Sequence, residues 1–141
     1  MSKKIYLASL WFKNNERVMY HEILQKMRTL GLTVYAPVEH EIENAWDLSN
    51  PEWGRKVFEA DVKAINDCDE VWVLNFGMYS DSGTAWECGY AYAKGKPVHQ
   101  LLYGFDKEKV FSLMMVNGCS SWDFMENFIF DRNDTFPIEQ K

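Results

Sequence analysis

Short apolar runs alternate with amphipathic stretches along the chain. Lys4 to Leu10 is one such run and predicts a buried first strand. From Glu16 to Leu30, Met19, Ile23, Met27 and Leu30 recur at steps of four, four and three, the period of a helix with one apolar face. Asn14 or Asn15 can cap its start, and Gly31 supplies the left-handed residue that ends it. Leu32 to Val38 predicts a second strand, closed by Pro37 and an acidic loop. Asn50-Pro51 has the form of a cap followed by proline at the first helical position, opening a helix to about Asp67. Glu70 to Phe76 is apolar at nearly every position, as expected of a strand covered on both faces. A helix from about Ser82 to Lys94, a strand from Lys96 to Tyr103, a short helix from Glu108 to Asn117 and a fifth strand from Cys119 to Phe124 follow. The last ten residues, with Asp134 and Pro137, read as an irregular tail.

Strands and helices in alternation imply right-handed crossovers and a parallel sheet. The predicted fold is a doubly wound, flavodoxin-like (Rossmann-like) five-stranded parallel α/β sheet with helices on both faces, formed by residues 1–141 as a single domain. Ligands of such sheets bind beyond the carboxyl ends of the strands, near the switch in strand order. That rule selects the segments after Leu10, Val38 and Phe76.

Composition narrows the function. At 141 residues and 47% apolar, the chain can bury one sizeable core. A net charge of −6 argues against a nucleic-acid partner, which calls for a basic patch. No apolar run reaches the roughly 18 residues of a membrane span, and Met1-Ser2-Lys3-Lys4 leads into a strand rather than a signal peptide, so a soluble, cytoplasmic protein is expected. Cys68, Cys88 and Cys119 lack CxxC spacing, and His21, His40 and His99 lack ligand-like spacing; neither a disulfide framework nor a metal site is expected. Phosphate-loop, dinucleotide, zinc-protease and serine-elbow motifs are absent.

Two carboxylates stand where charge is unexpected. Asp61 shares a helical stripe with Phe58, Val62 and Ile65; a carboxylate there loses hydration and holds a proton more readily, which suits a general acid. The alternative is an Asp at the stripe's edge, turned to solvent. Glu87 lies among Gly83, Ala85, Gly89, Ala91 and Ala93, which permit close packing on nearly every helix face. It is either a functional carboxylate or a buried Glu tied to a backbone donor. Asp81 sits where a helix cap belongs, and six residues of helix place it roughly 8–9 Å from Glu87, a span that could hold two ends of one small ligand. An ionised and a protonated carboxylate flanking a ligand are the parts of glycosidic-bond chemistry. Trp11 and Phe12, just beyond the first strand, could stack on a flat heterocycle or belong to the core.

The chain resembles the nucleoside 2-deoxyribosyltransferases. The likeness runs from Lys4-Ile5-Tyr6-Leu7-Ala8-Ser9-Leu10-Trp11-Phe12 through Asp81-Ser82-Gly83-Thr84-Ala85-Trp86-Glu87 to Gly95-Lys96-Pro97-Val98 and Ser112-Leu113-Met114. The intervals from Asp61 to Asp81 (20) and from Asp81 to Glu87 (6) fit the family. The resemblance implies a double displacement. Glu87 would attack C1′ of a 2′-deoxynucleoside, Asp61 would protonate the departing base, and Tyr6 would orient Glu87. Asp81 would bind a deoxyribose hydroxyl, and Trp11 and Phe12 would line the base pocket. No cofactor is implied. The partners implied are a deoxynucleoside, a free nucleobase and further copies of the chain, with Ser112 and Met114 reaching a neighbouring subunit's sugar site.

Two positions depart from the family pattern. Ser112 stands where an asparagine is usual, a change shared with the related deoxynucleoside 5′-monophosphate N-glycosidases; those also carry serine at the position of Asp81 and a phosphate-binding arginine that this chain lacks. The free nucleoside is therefore the expected substrate. Glu41 stands where a base-binding glutamine is frequent. An ionised carboxylate only accepts hydrogen bonds, so Glu41 is expected to favour bases that present a donor. A hydrolase on the same scaffold and a non-catalytic nucleotide-sensing domain are the competing readings.

Overall fold

The computed structural model describes residues 3–9, 14–76, 81–103 and 112–130. Trp11, Phe12, the start of the helix expected at Glu108 and the C-terminal tail lie outside the described residues. Five strands, β1 (Lys4–Ser9), β2 (Thr33–Tyr35), β3 (Glu70–Phe76), β4 (Val98–Tyr103) and β5 (Ser121–Phe124), form one parallel sheet in the order β2-β1-β3-β4-β5. Helices α1 (Asn14–Thr29), α2 (Asn50–Asp67), α3 (Ser82–Ala93), α4 (Leu113–Gly118) and α5 (Met125–Phe130) cover it. The expected fold class is the observed one.

Strand alternation divides the core. Ile5 and Leu7 of β1 point to one face with Trp72 and Leu74 of β3, where α1 packs through Tyr20, Ile23, Leu24 and Met27, and α5 through Met125 and Phe128. Tyr6 and Ala8 point to the other face, joining Ala64 and Ile65 of α2, Cys88 and Ala91 of α3, and Val71 and Val73 of β3. The chain crosses from β2 past β1 to β3, so the switch in strand order lies between β1 and β3.

Several local expectations are corrected. The second strand is only Thr33–Tyr35, because proline has no N–H for the ladder and the chain enters a 3-10 turn at Pro37–Glu39. The cap of α2 is Ser49 rather than Asn50: its hydroxyl accepts from the Glu52 N–H at 3.3 Å, in the Ser-x-x-Glu spacing of a capping box. Phe58 is exposed, edge-on to Trp86; the inward side of α2 is carried by Ala64, Ile65 and the adjoining Cys68, with Val57 and Asp61 a turn or two earlier. Helix α5 was not expected; six residues are too few for periodicity, yet Met125 and Phe128, three apart, both reach the core.

At the amino ends of β3, β4 and β5, opposite the loops that follow the strands, Glu70 is buried in a polar cluster. Trp72 Nε1 donates to it at 2.8 Å, His99 Nε2 lies 3.6 Å away, Lys3 Nζ lies 3.3 Å away, and His99 Nδ1 meets the Ser121 hydroxyl at 2.5 Å. Burial alone would raise the Glu70 pKa, but His99, Trp72 and Lys3 together outweigh it and hold the carboxyl at about 2. A folded pKa below the unfolded one gives stability that is present above the unfolded value and lost as pH falls toward 2. Glu70→Gln is therefore expected to lower the melting temperature at pH 7 by roughly 5 °C and to flatten the acid limb between about pH 5 and pH 2, measured by thermal unfolding across pH.

Candidate active site

A cavity of about 810 Å3 opens beyond the carboxyl ends of β1 and β2 and beside the start of α3. Ser9 ends β1 at its floor; Val38 to Ile42, apart from Glu39, line the wall after β2, and Val57, Ala60 and Asp61 line the side formed by α2. Asp81, Gly83, Thr84 and Glu87 complete it from α3. This is where the switch in strand order directs ligands.

Glu87 is half-buried, and its carboxylate accepts a short hydrogen bond from the Tyr6 hydroxyl. Tyr6 is fully buried because β1 turns it to the α2 and α3 face, while Ile5 and Leu7 face α1. Burial and the two neighbouring carboxylates push the Tyr6 phenol far above its usual range, so it stays a donor. For Glu87, burial dominates, partly opposed by the Tyr6 hydrogen bond and reinforced by Asp61 and Asp81, and its carboxyl is pushed up to about 7. Asp61 is half-buried and its pKa is also raised by burial, with an interaction from Tyr6 opposing the rise. Both carboxyls thus hold protons more readily than in water, and one phenol interacts with both.

Asp81 has two positions at once. Its Oδ2 caps α3, accepting from the Thr84 N–H at 3.1 Å and the Thr84 hydroxyl at 3.3 Å, and its side chain also borders the cavity. A Cβ at residue 83 would come within 3.2 Å of that oxygen, so Gly83 leaves room for the cap. The expectation that small residues let α3 pack closely on nearly every face is corrected. Thr84, Cys88 and Ala91 are buried, but Gly89 has open space where a Cβ would be, and Trp86 and Tyr92 are exposed.

The structure brings Tyr6, Asp61, Asp81, Glu87 and Glu41 to one site: Tyr6 stands behind Glu87, and the four carboxylates line the cavity. It does not bring Ser112 or Met114 there. Ser112 caps α4, accepting from the Met115 N–H at 3.4 Å, and Met114 is 85% exposed. Trp11 and Phe12 lie outside the described residues. Sequence reasoning missed Ser9, His40, Trp46 and Trp53 as cavity residues. Trp53, one turn after the Ser49 cap and two turns before Asp61, was the legible signal. His40 stacks on Tyr35 at 4.2 Å, and Tyr35 stacks on Tyr6 at 5.7 Å, a contact made only when the 3-10 turn folds back. Among the described residues no group of His, Cys, Asp or Glu could hold a metal ion, and no Lys or Arg lines the cavity.

Residues 5–125 match the family model for nucleoside 2-deoxyribosyltransferase. The fold is similar to that of a 2-deoxyribosyltransferase from the psychrotolerant bacterium Bacillus psychrosaccharolyticus, at 30% identity and a TM-score of 0.80 over 98% of both chains. Two other structures share the fold at lower identity. One is a conserved protein from Enterococcus faecalis V583, at 22% identity and TM-score 0.65 over 92% of this chain and 87% of that one. The other is the CMP N-glycosidase BcmB of Clostridium botulinum, at 20% identity and TM-score 0.60 over 90% of this chain and 95% of that one. No curated protein sequence matches the chain significantly. With most of its length inside the family model, and Tyr6, Asp61, Asp81 and Glu87 gathered at one cavity, the chain belongs to the nucleoside 2-deoxyribosyltransferase family.

Proposed function

We propose that the protein transfers 2-deoxyribose from a 2′-deoxynucleoside to a free purine or pyrimidine base, by a retaining double displacement in nucleoside salvage. The observation that carries this reading is the placement of Glu87 and Asp61 on one cavity, with the Tyr6 hydroxyl bonded to Glu87 and interacting with Asp61. In the first step a Glu87 carboxylate oxygen attacks C1′ and the C1′–N bond breaks. Its electron pair stays on the base nitrogen, which takes the proton of Asp61. In the second step Asp61 removes a proton from the incoming base, whose nitrogen attacks C1′ and releases the Glu87 carboxylate. Two inversions retain the configuration.

The proton distribution sets a requirement on the first step. Glu87 reacts ionised and Asp61 protonated, yet burial raises the Glu87 carboxyl to about 7, with the charge of Asp61 adding to the rise. The two titrate as a pair. A base nitrogen placed beside Asp61 accepts a hydrogen bond only from the protonated acid, so substrate binding draws the shared proton to Asp61 and leaves the Tyr6 bond to stabilise an ionised Glu87.

The acidic lining supports a neutral nucleoside over a nucleotide. Glu41, Asp61, Asp81 and Glu87 line the cavity without a Lys or Arg among the described residues. A phosphate such as that of CMP would meet several kcal/mol of repulsion for each charge at close range, in order-of-magnitude terms. In this proposal Asp81 binds a sugar hydroxyl, and Glu41 accepts from a donor on the base. Trp11 and Phe12 complete the base pocket, and Ser112 and Met114 of one copy reach the sugar site of another in a homo-oligomer.

Incubating deoxyadenosine or thymidine with a panel of free bases tests the activity. New nucleoside is expected only when a second base is present; release of base at the same rate without an acceptor would mean a hydrolase. In the same panel Glu41→Gln is expected to reduce the preference for adenine and cytosine over thymine, and an unchanged preference removes Glu41 from base recognition. Asp61→Asn is expected to slow transfer by roughly 10²- to 10⁴-fold, more for poor leaving bases than for good ones. Equal losses across leaving groups, measured as kcat/KM, would show that Asp61 is not the acid.

A further inference from the structure

Between the turn after β2 and the start of α2, the chain runs along the cavity rim with little holding it down. No residue from 41 to 50 is buried, and only Ile42, Ala45 and Leu48 are half-buried. Before Ser49, whose carbonyl accepts from the Trp53 N–H at 2.9 Å to open α2, the backbone hydrogen bonds of this stretch run from Asp47 N–H to the Asn44 carbonyl at 3.0 Å and from Leu48 N–H to the Ala45 carbonyl at 3.2 Å, and both close within it. They form a 3-10 turn over Ala45–Asp47, entered through Asn44 in the left-handed region at φ 58° and left through an extended Leu48. Few buried contacts and purely local hydrogen bonds mark a segment that moves at low free-energy cost.

Trp46 is carried at the centre of that turn and is 100% exposed, although it lines the cavity. Tryptophan is highly buried on average, and a wholly exposed indole leaves the largest apolar side chain in water. Its neighbour along the rim, Trp53, is 45% exposed and also lines the cavity. The carboxylates Asp61 and Glu87 lie on the other elements of the same cavity. At about 810 Å3 the cavity lies toward the upper end of the roughly 300–1,000 Å3 typical of small-molecule sites, which leaves room for the rim to move inward. A flat ring bound with its sugar at the carboxylates has its base toward the rim.

We propose that Trp46 is a base-binding residue: the Ala45–Asp47 turn folds inward over a bound nucleoside, and the indole stacks on the outer face of its base. The inference rests on the reading of the cavity as a nucleoside site. Stacking recognises a π-face rather than a hydrogen-bond pattern, so Trp46 serves donor and acceptor bases alike and favours the larger purine surface. Base discrimination by edge contacts is left to other residues of the wall.

The test is equilibrium binding of deoxyadenosine, by titration calorimetry, to Glu87→Ala protein with and without a change at Trp46. Trp46→Ala is expected to weaken binding about tenfold or more, with a smaller loss for thymidine, and Trp46→Phe to recover most of it. Native mass is expected to be the same in all three. Equal affinity in Trp46→Ala would overturn the proposal, as would a loss of affinity accompanied by a lower native mass, which would place Trp46 in a contact between copies. If Trp46 governs binding but the wild-type protein exchanges no bases, the stacking role stands and the transferase reading fails. If deoxyadenosine does not bind the Glu87→Ala parent, both fail.

Discussion

The site depends on one contact across the core: the hydrogen bond from the Tyr6 hydroxyl to the Glu87 carboxylate. A carboxylate on a helix face turned toward a sheet either takes up a proton or finds a donor. Glu87 does some of each, with its pKa raised to about 7 by burial while the phenol pulls in the opposite direction. The donor is held rigidly, because Tyr6 lies wholly inside the core and its ring stacks on Tyr35. A one-residue slip of β1 would exchange Tyr6 for Ile5 or Leu7 on that face and leave the carboxylate without this partner.

The same constraint explains where the reactive groups gather. β1 is flanked by β2 and β3, so the switch in strand order falls beside its carboxyl end, and the cavity opens there. The four carboxylates enter that cavity from three elements: Glu41 from the loop after β2, Asp61 from α2, and Asp81 and Glu87 from the cap and second turn of α3. The resulting concentration of negative charge raises proton affinity inside the cavity and disfavours anionic ligands. That is consistent with chemistry in which one carboxyl gives a proton to the leaving group of a neutral substrate and another attacks it. At the amino end of the central strand, Glu70 is buried too, but three donors and cations hold its pKa low. The contrast between the two buried glutamates comes from their neighbours and not from burial itself.

Much of the fold was legible because its strongest signals were local. β3 was expected over the residues it occupies, since a strand buried on both faces is apolar throughout. Helix α3 began at Ser82 as expected, because Asp81 is a good cap and Gly83 leaves room for its carboxylate. Signals failed where tertiary context decided. Phe58 looked inward by periodicity, yet α2 is rotated so that Asp61 borders the cavity and Phe58 lies edge-on to Trp86. Helix α5 exists because the core offers Met125 and Phe128 a place beside Trp72, which no six-residue pattern could reveal. Of the candidate site, Asp61 and Glu87 were readable as charges in the wrong place and Asp81 as a helix cap, but Tyr6 and Glu41 only through the family likeness. The rim residues His40 and Trp46 were not, because the turns that bring them to the cavity follow no period; Trp53, on α2 two turns before Asp61, was within reach of the helical period.

The central claim is that Glu87 forms a transient ester with the sugar. A 2′-fluorinated deoxynucleoside, whose electron-withdrawing substituent slows both steps, should trap that ester long enough for peptide mass spectrometry. The account predicts one added fluorodeoxyribosyl mass per chain, located on Glu87 and discharged when a free base is supplied. Turnover of the unmodified nucleoside with the label on another side chain, or with no label at any time, would contradict it.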